Sequence, residues 1–156
     1  MNSILKYILL SSTVLIFGFS NKFVNSKTEL KCNLLEAYAI THKELEFVKC
    51  EEVKNSQIIY RATYRVRGNK SKIVEDFLKE NYGMGNLKWA CCGWDNAGVY
   101  GQFEHPEFEK IDPYCSAVIS MFASGEKIDK SKNTINLEHD RDKIEYFTVT
   151  VELIIT

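Results

Sequence analysis

Residues 57–67 read QIIYRATYRVR, and their strict alternation limits the fold more than any other stretch of the chain. Successive side chains of a strand point to opposite faces, so Ile58, Tyr60, Ala62, Tyr64 and Val66 share one side. The other side carries Arg61, Arg65 and Arg67. A strand that is apolar on one face and cationic on the other belongs to a sheet packed on one side and solvated on the other. The stretch YFTVTVELIIT at 146–156 repeats the pattern, with Phe147, Val149, Val151, Leu153 and Ile155 aligned.

The remaining elements fit around these two strands. Leu30, Leu34, Leu35 and Tyr38 recur at helical spacing between Thr28 and Ile40, with Thr28 as N-cap. A short strand is expected over Glu46 to Val53. Ile73, Val74, Phe77 and Leu78 form the apolar stripe of a second helix that stops near Gly83. Strands are then expected over Leu87 to Trp94, Val99 to Phe103 and Tyr114 to Phe122, with Asp95-Asn96-Ala97-Gly98 as a turn between the first two. The charged stretch 125–145 reads as a solvated loop with a short strand near Ile135. Turns this short exclude parallel crossovers. The expected class is therefore α+β, a mostly antiparallel sheet of about five or six strands packed against two helices. A sheet curled around a helix, as in cystatin-like folds, is one concrete form of it; that analogy carries no function.

The N-terminal segment has a lysine at position 6, an apolar run of 13 residues from Tyr7 to Phe19, and no acid before Glu29. This is the order of a secretory signal peptide, and the run is too short to cross a hydrocarbon core of roughly 30 Å. Cleavage is expected after Ser26, where Val24 and Ser26 supply the small residues, with Ser20 as the alternative. Glu29 and Lys31 argue against lipid attachment at Cys32. The expected organisation is a signal peptide over 1–26 and one α+β domain over 27–156. Loss of residues 1–26 removes two lysines and no acid, which moves the formal net charge from −1 to −3. That balance gives no support to a nucleic-acid partner. No stable membrane insertion is expected after cleavage, and the expected home is the periplasm or the extracellular medium.

In an oxidising compartment the five cysteines at 32, 50, 91, 92 and 115 default to disulfides. If 87–94 is a strand, Cys91 shares a face with Leu87 and Trp89 while Cys92 points the other way. Cys115 lines up with Ala117, Ile119 and Met121 on a core face. Pairings of Cys91 with Cys115 and of Cys32 with Cys50 are therefore expected, leaving Cys92 unpaired. A vicinal bridge between Cys91 and Cys92 would require strained peptide geometry. A metal site from Cys91, Cys92, Cys115 and His105 lacks the two-residue gap that turns paired ligands towards one ion. No motif calls for a metal or another cofactor. A thiol enzyme would use Cys92 as nucleophile, His105 as base and Asp95 or Glu104 to orient the imidazole.

Arg61, Arg65 and Arg67, continued by Lys70 and Lys72, are either a solvated face or a docking surface for an acidic partner. Trp94 and Tyr100, near the Gly98 and Gly101 turn, are candidate anchors for the same contact. Several segments taken together resemble a small family of exported bacterial proteins of unknown function with a Cys-Cys-Gly-Trp motif. They are the Leu34-Leu35 helix after a cysteine, FVKC at 47–50, TYRVRG, the Val74-Glu75-Asp76-Phe77-Leu78 helix, LKWACCGWDN and ISMFASGE. The resemblance implies a periplasmic or secreted protein and brings no catalytic residues. The function expected is a non-enzymatic binding, inhibitor or immunity-type module with a protein partner in the cell envelope. The alternative is a small cell-envelope thiol enzyme or hydrolase. Inhibition of the cystatin type has no support, because the glutamine-valine-glycine loop has no clear match.

Overall fold

The computed structural model describes residues 34–38, 41–53 and 57–156. The expected signal segment 1–26, Thr28, Leu30 and Cys32 lie outside the described residues. The elements in chain order are helix α1 (Leu34–Ala37), strands β1 (Glu46–Glu52) and β2 (Ile58–Arg67), helix α2 (Ser71–Tyr82), strands β3 (Lys88–Ala90), β4 (Gly93–Asp95) and β5 (Gly101–Phe103), helix α3 (Pro106–Glu109), and strands β6 (Cys115–Ser124), β7 (Glu126–Asp129), β8 (Thr134–Leu137) and β9 (Tyr146–Ile155).

Seven strands form one antiparallel sheet in the order β1-β2-β9-β6-β4-β3. The outer edge of β6 is shared, since β4 pairs at 122–124 and β5 pairs at 117–119. The chain is α+β, as the alternation of β2 and β9 requires. Ala62, Tyr64 and Val66 of β2, Ala117, Ile119 and Met121 of β6, and Phe147, Val149, Val151 and Leu153 of β9 are all buried. Val74 and Leu78 of α2, Phe108 of α3 and Leu34 of α1 pack into the same core. Each fully buried large aliphatic or aromatic side chain contributes roughly 1.5–3 kcal/mol.

Helix α2 ends where the sequence predicts. Gly83 has φ of 71°, and its N–H donates to the Lys79 carbonyl at 3.0 Å. That left-handed geometry costs glycine little and closes the last turn. Gly68, between β2 and α2, is held by contact instead. A Cβ there would lie 2.1 Å from the Ile144 carbonyl oxygen and 2.2 Å from that of Arg141.

Three expectations need correction. Residues 87–94 are a two-residue hairpin: Ala90 pairs with Gly93, and Cys91 and Cys92 form the turn. Cys91 supplies the positive φ, 52°, that such a turn demands at a corner. The charged stretch 125–145 contains a second hairpin, β7–β8, which forms its own two-stranded sheet. Helix α3 was unforeseen, as was the role of His105, whose Nδ1 caps it by accepting the Glu107 N–H at 3.2 Å.

Candidate functional site

Around Tyr146, β2 ends, β9 begins, β6 ends and the β7–β8 hairpin leaves the sheet. The two tryptophans reach this end through the cysteine hairpin. Trp89 and Trp94 face each other across β3 and β4, edge to face, with ring centroids 5.9 Å apart. The His139 ring lies against Trp89 as well, with ring centroids 4.0 Å apart. The backbone ties the two hairpins together, because the Gly125 N–H donates to the Cys92 carbonyl at 2.8 Å and the Glu138 N–H donates to the Gly125 carbonyl at 2.7 Å. Gly125 must lack a side chain here, since a Cβ would stand 2.3 Å from the Trp89 ring.

Beneath Trp94 lies a polar network. Buried Glu75 of α2 accepts the Leu87 N–H at 2.7 Å through one oxygen and the Arg141 guanidinium at 2.6 Å through the other. Arg141 also donates to Ser71 Oγ at 3.1 Å and lies over the rings of Trp94 and Phe147 at 5.3 and 5.2 Å. Trp94 Nε1 and Arg141 Nη2 are buried with no hydrogen-bond partner among the described residues.

On the open face of the sheet, Tyr146 takes the guanidinium of Arg65 at 4.6 Å and that of Arg67 at 5.8 Å from its ring centroid. Arg65 also grips Glu46 in bidentate fashion at 2.7 and 2.9 Å, and this hydrogen bonding holds the Glu46 carboxyl below its ordinary range. Arg61 pairs with Glu152 at 2.6 Å and with Glu51 at 3.8 Å. Two shallow clefts flank Tyr146. One, of about 200 Å³, is lined by Lys43, Glu46, Arg65 and Arg67; the other, of about 350 Å³, by Lys127, Glu138 and Lys143.

The residues proposed for docking do not form one surface. Trp94 faces the core side of the sheet opposite Ala123, whereas Arg61, Arg65 and Arg67 occupy the open side. Tyr100 is exposed on the loop before β5. Because Arg61 and Arg65 are already paired with carboxylates of β1 and β9, the stripe offers an acidic partner less charge than the sequence suggested.

The thiol–histidine pair is likewise not assembled. Gly93 pairs with Ser124 and Phe103 with Ala117, so Cys92 and His105 lie near positions seven residues apart along β6, about 23 Å at the rise of a strand. His105 stacks on Tyr38 at 4.4 Å and caps α3, while Asp95 accepts the Ala97 N–H inside its own turn. Glu104, between β5 and that cap, is exposed.

The same geometry separates Cys91, in the turn next to Gly93, from Cys115, nine residues before Ser124 and about 30 Å away. Both are free thiols, so the expected 91–115 bridge is replaced by an exposed Cys91 and a buried Cys115. A metal site shared by Cys91, Cys92, Cys115 and His105 fails for the same reason. Cys50 is disulfide-bonded, and Cys32, its expected partner, lies outside the described residues.

What the sequence did not reveal is that Cys91 and Cys92 converge, with Sγ atoms 3.1 Å apart. Cys92 is pushed up to about 11, first by the hydrogen bond with Cys91, then by lost hydration, then by the charges of Cys91 and Glu126. That is the reverse of an activated nucleophile. The network of Glu75, Ser71 and Arg141 was also missed, and the single acid on the apolar side of α2 was its one signal.

Residues 23–94 match the model of DUF4952, a domain of unknown function. The matched segment takes in β1 to β3 and ends at Trp94 within β4, whereas the central strands β6 and β9, which pair with β4 and β2 in the same sheet, lie beyond it. No curated protein and no solved structure matches the chain. Among the described residues no helix is long and apolar enough to cross a membrane.

Proposed function

We propose that the chain is an exported, non-enzymatic binding module of the cell envelope that engages a protein partner through the β7–β8 hairpin and the clefts around Tyr146. One observation carries the proposal. Ile128 and Ile135 form a cross-strand pair exposed at 69% and 62%, with Leu137 exposed on the same face, on a hairpin that pairs with no other strand among the described residues. Aliphatic side chains gathered on a projecting element mark a contact surface. Lys127 pairs with Glu138 and Lys132 with Asp129. With those charges satisfied internally, the hairpin offers apolar contact and a free strand edge. The occupant is accordingly a partner protein that lays an apolar, strand-forming segment on it.

Inhibitor and immunity-type roles fit such a module. The proposal includes export by a signal peptide over 1–26 and a Cys32–Cys50 bridge pinning the N-terminal segment to β1. A photo-crosslinking residue at position 128, in cells that make the protein, tests it. The expected result is one discrete heterologous adduct in the envelope fraction that disappears with Ile135→Asp while the melting temperature holds. Adducts only between copies of the chain, or an unprocessed chain in the cytosolic fraction, would overturn it.

A further inference from the structure

We infer that Cys91 and Cys92 form a dithiol–disulfide couple that exchanges electrons with small-molecule disulfides. The two sulfurs sit 3.1 Å apart at the tip of the β3–β4 hairpin, Cys91 is exposed, and the turn already holds Cys91 at φ of 52°. Bringing two thiols to this separation costs most of the ordering that ring closure needs. Cys115 is out of reach, about 30 Å along the sheet.

The exchange proceeds in two displacements. The Cys91 sulfur, as thiolate, attacks one sulfur of the small disulfide, and the departing thiolate takes up a proton from solvent. The Cys92 sulfur then attacks Cys91 in the mixed disulfide, gives up its own proton and releases the second thiol. One disulfide and two cysteine thiols become one ring disulfide and two small thiols, with two electrons passed from the cysteine pair to the oxidant. The order of attack follows from the site. Cys91 is exposed at the tip of the turn, whereas Cys92 is half-buried.

The product ring spans residues whose Cα atoms are about 3.8 Å apart, closer than an ordinary disulfide accepts, and such bridges are readily reduced again. The couple is therefore reversible rather than a structural staple. It also has an outlet: the Cys92 carbonyl receives the Gly125 N–H, one residue before β7. The couple itself stands independently of the partner-binding proposal.

The test is equilibration of the purified full chain across ratios of reduced to oxidised glutathione, acid quenching and digestion with trypsin. Cleavage after Lys88 and Lys110 isolates Cys91 and Cys92 on one peptide, away from Cys50 and Cys115. In the wild-type chain that peptide is expected to become two hydrogens lighter as the ratio falls, with complete loss of alkylatable thiol and no retained glutathione. Cys92→Ser is expected to trap one glutathione on Cys91. A wild-type peptide that accumulates a stable glutathione adduct, links to another peptide, or keeps both thiols alkylatable at every ratio would overturn the inference. The decisive reading is made on the wild-type chain and does not depend on a variant folding.

Discussion

Glu75 and Arg141 meet at 2.6 Å across 66 residues of chain, with Glu75 exposed by only 2%. Removing one member of a buried ion pair leaves the other uncompensated, which is far costlier than losing a surface pair. Glu75→Ala is expected to lower the unfolding free energy by about 3 kcal/mol. Glu75→Gln, which keeps an acceptor for the Leu87 N–H, should cost less. Urea denaturation of the three proteins side by side measures both.

Gly125→Ala places a methyl group into the Trp89 ring. Overpacking of this kind costs about 1–3 kcal/mol. Because the Trp89 ring has to shift, the tryptophan emission should change along with the denaturation midpoint. An unchanged spectrum with unchanged stability would mean that the two hairpins do not pack as described.

Cys115 is pushed up from the ordinary 9.0 to about 11, by burial first and by the Asp112 charge second. The folded state thus prefers the neutral thiol. The stability this group contributes is whole below pH 9 and is lost as pH rises through about 11. Compared with Cys115→Ala, the wild-type chain should lose its advantage over that window in thermal melts. At pH 8 the native thiol should resist iodoacetamide while Cys91 reacts.

Paired replacement of Ile128 and Ile135 by Asp should leave stability within about 0.5 kcal/mol, since neither side chain belongs to the core. A clear drop in melting temperature would show that the hairpin folds back on the domain.

His105→Ala should cost about 1 kcal/mol through the lost cap on α3, and His105→Asn should restore most of it. Cys92→Ala should leave that cap, and the stability it provides, intact. Comparing midpoints for the single and double variants separates a capping histidine from a base coupled to a thiol, because caps and distant thiols add independently.

The sequence made the central strands legible because their burial is one-sided: β2 and β9 alternate without exception from Tyr60 to Val66 and from Phe147 to Leu153. Helix α2 was equally plain, since its stripe and Gly83 agree. The cysteine hairpin was illegible for a local reason. A two-residue turn normally announces itself with Gly or Asn at the positive-φ position, and here Cys91 occupies it. Face parity then misassigned both cysteines and suggested a bridge the sheet cannot make. His105 looked like a base because its neighbours in sequence were acids, yet a single turn of helix over Pro106–Glu109 leaves no period to detect. The β7–β8 hairpin has no buried face to imprint on its sequence. Glu75 and Arg141 are too far apart in the chain for any spacing rule to connect them.

Strand β9 lies between β2 and β6 although it follows both in the chain. A ribosome therefore delivers every other strand of the sheet before the one that joins its two halves. Until residues 146–155 emerge, β1 and β2 have no contact with β6 through the sheet, and the apolar faces of both halves remain open. The domain cannot complete itself segment by segment during synthesis. Its nascent chain stays uncommitted to the final topology until the strand that unites it arrives.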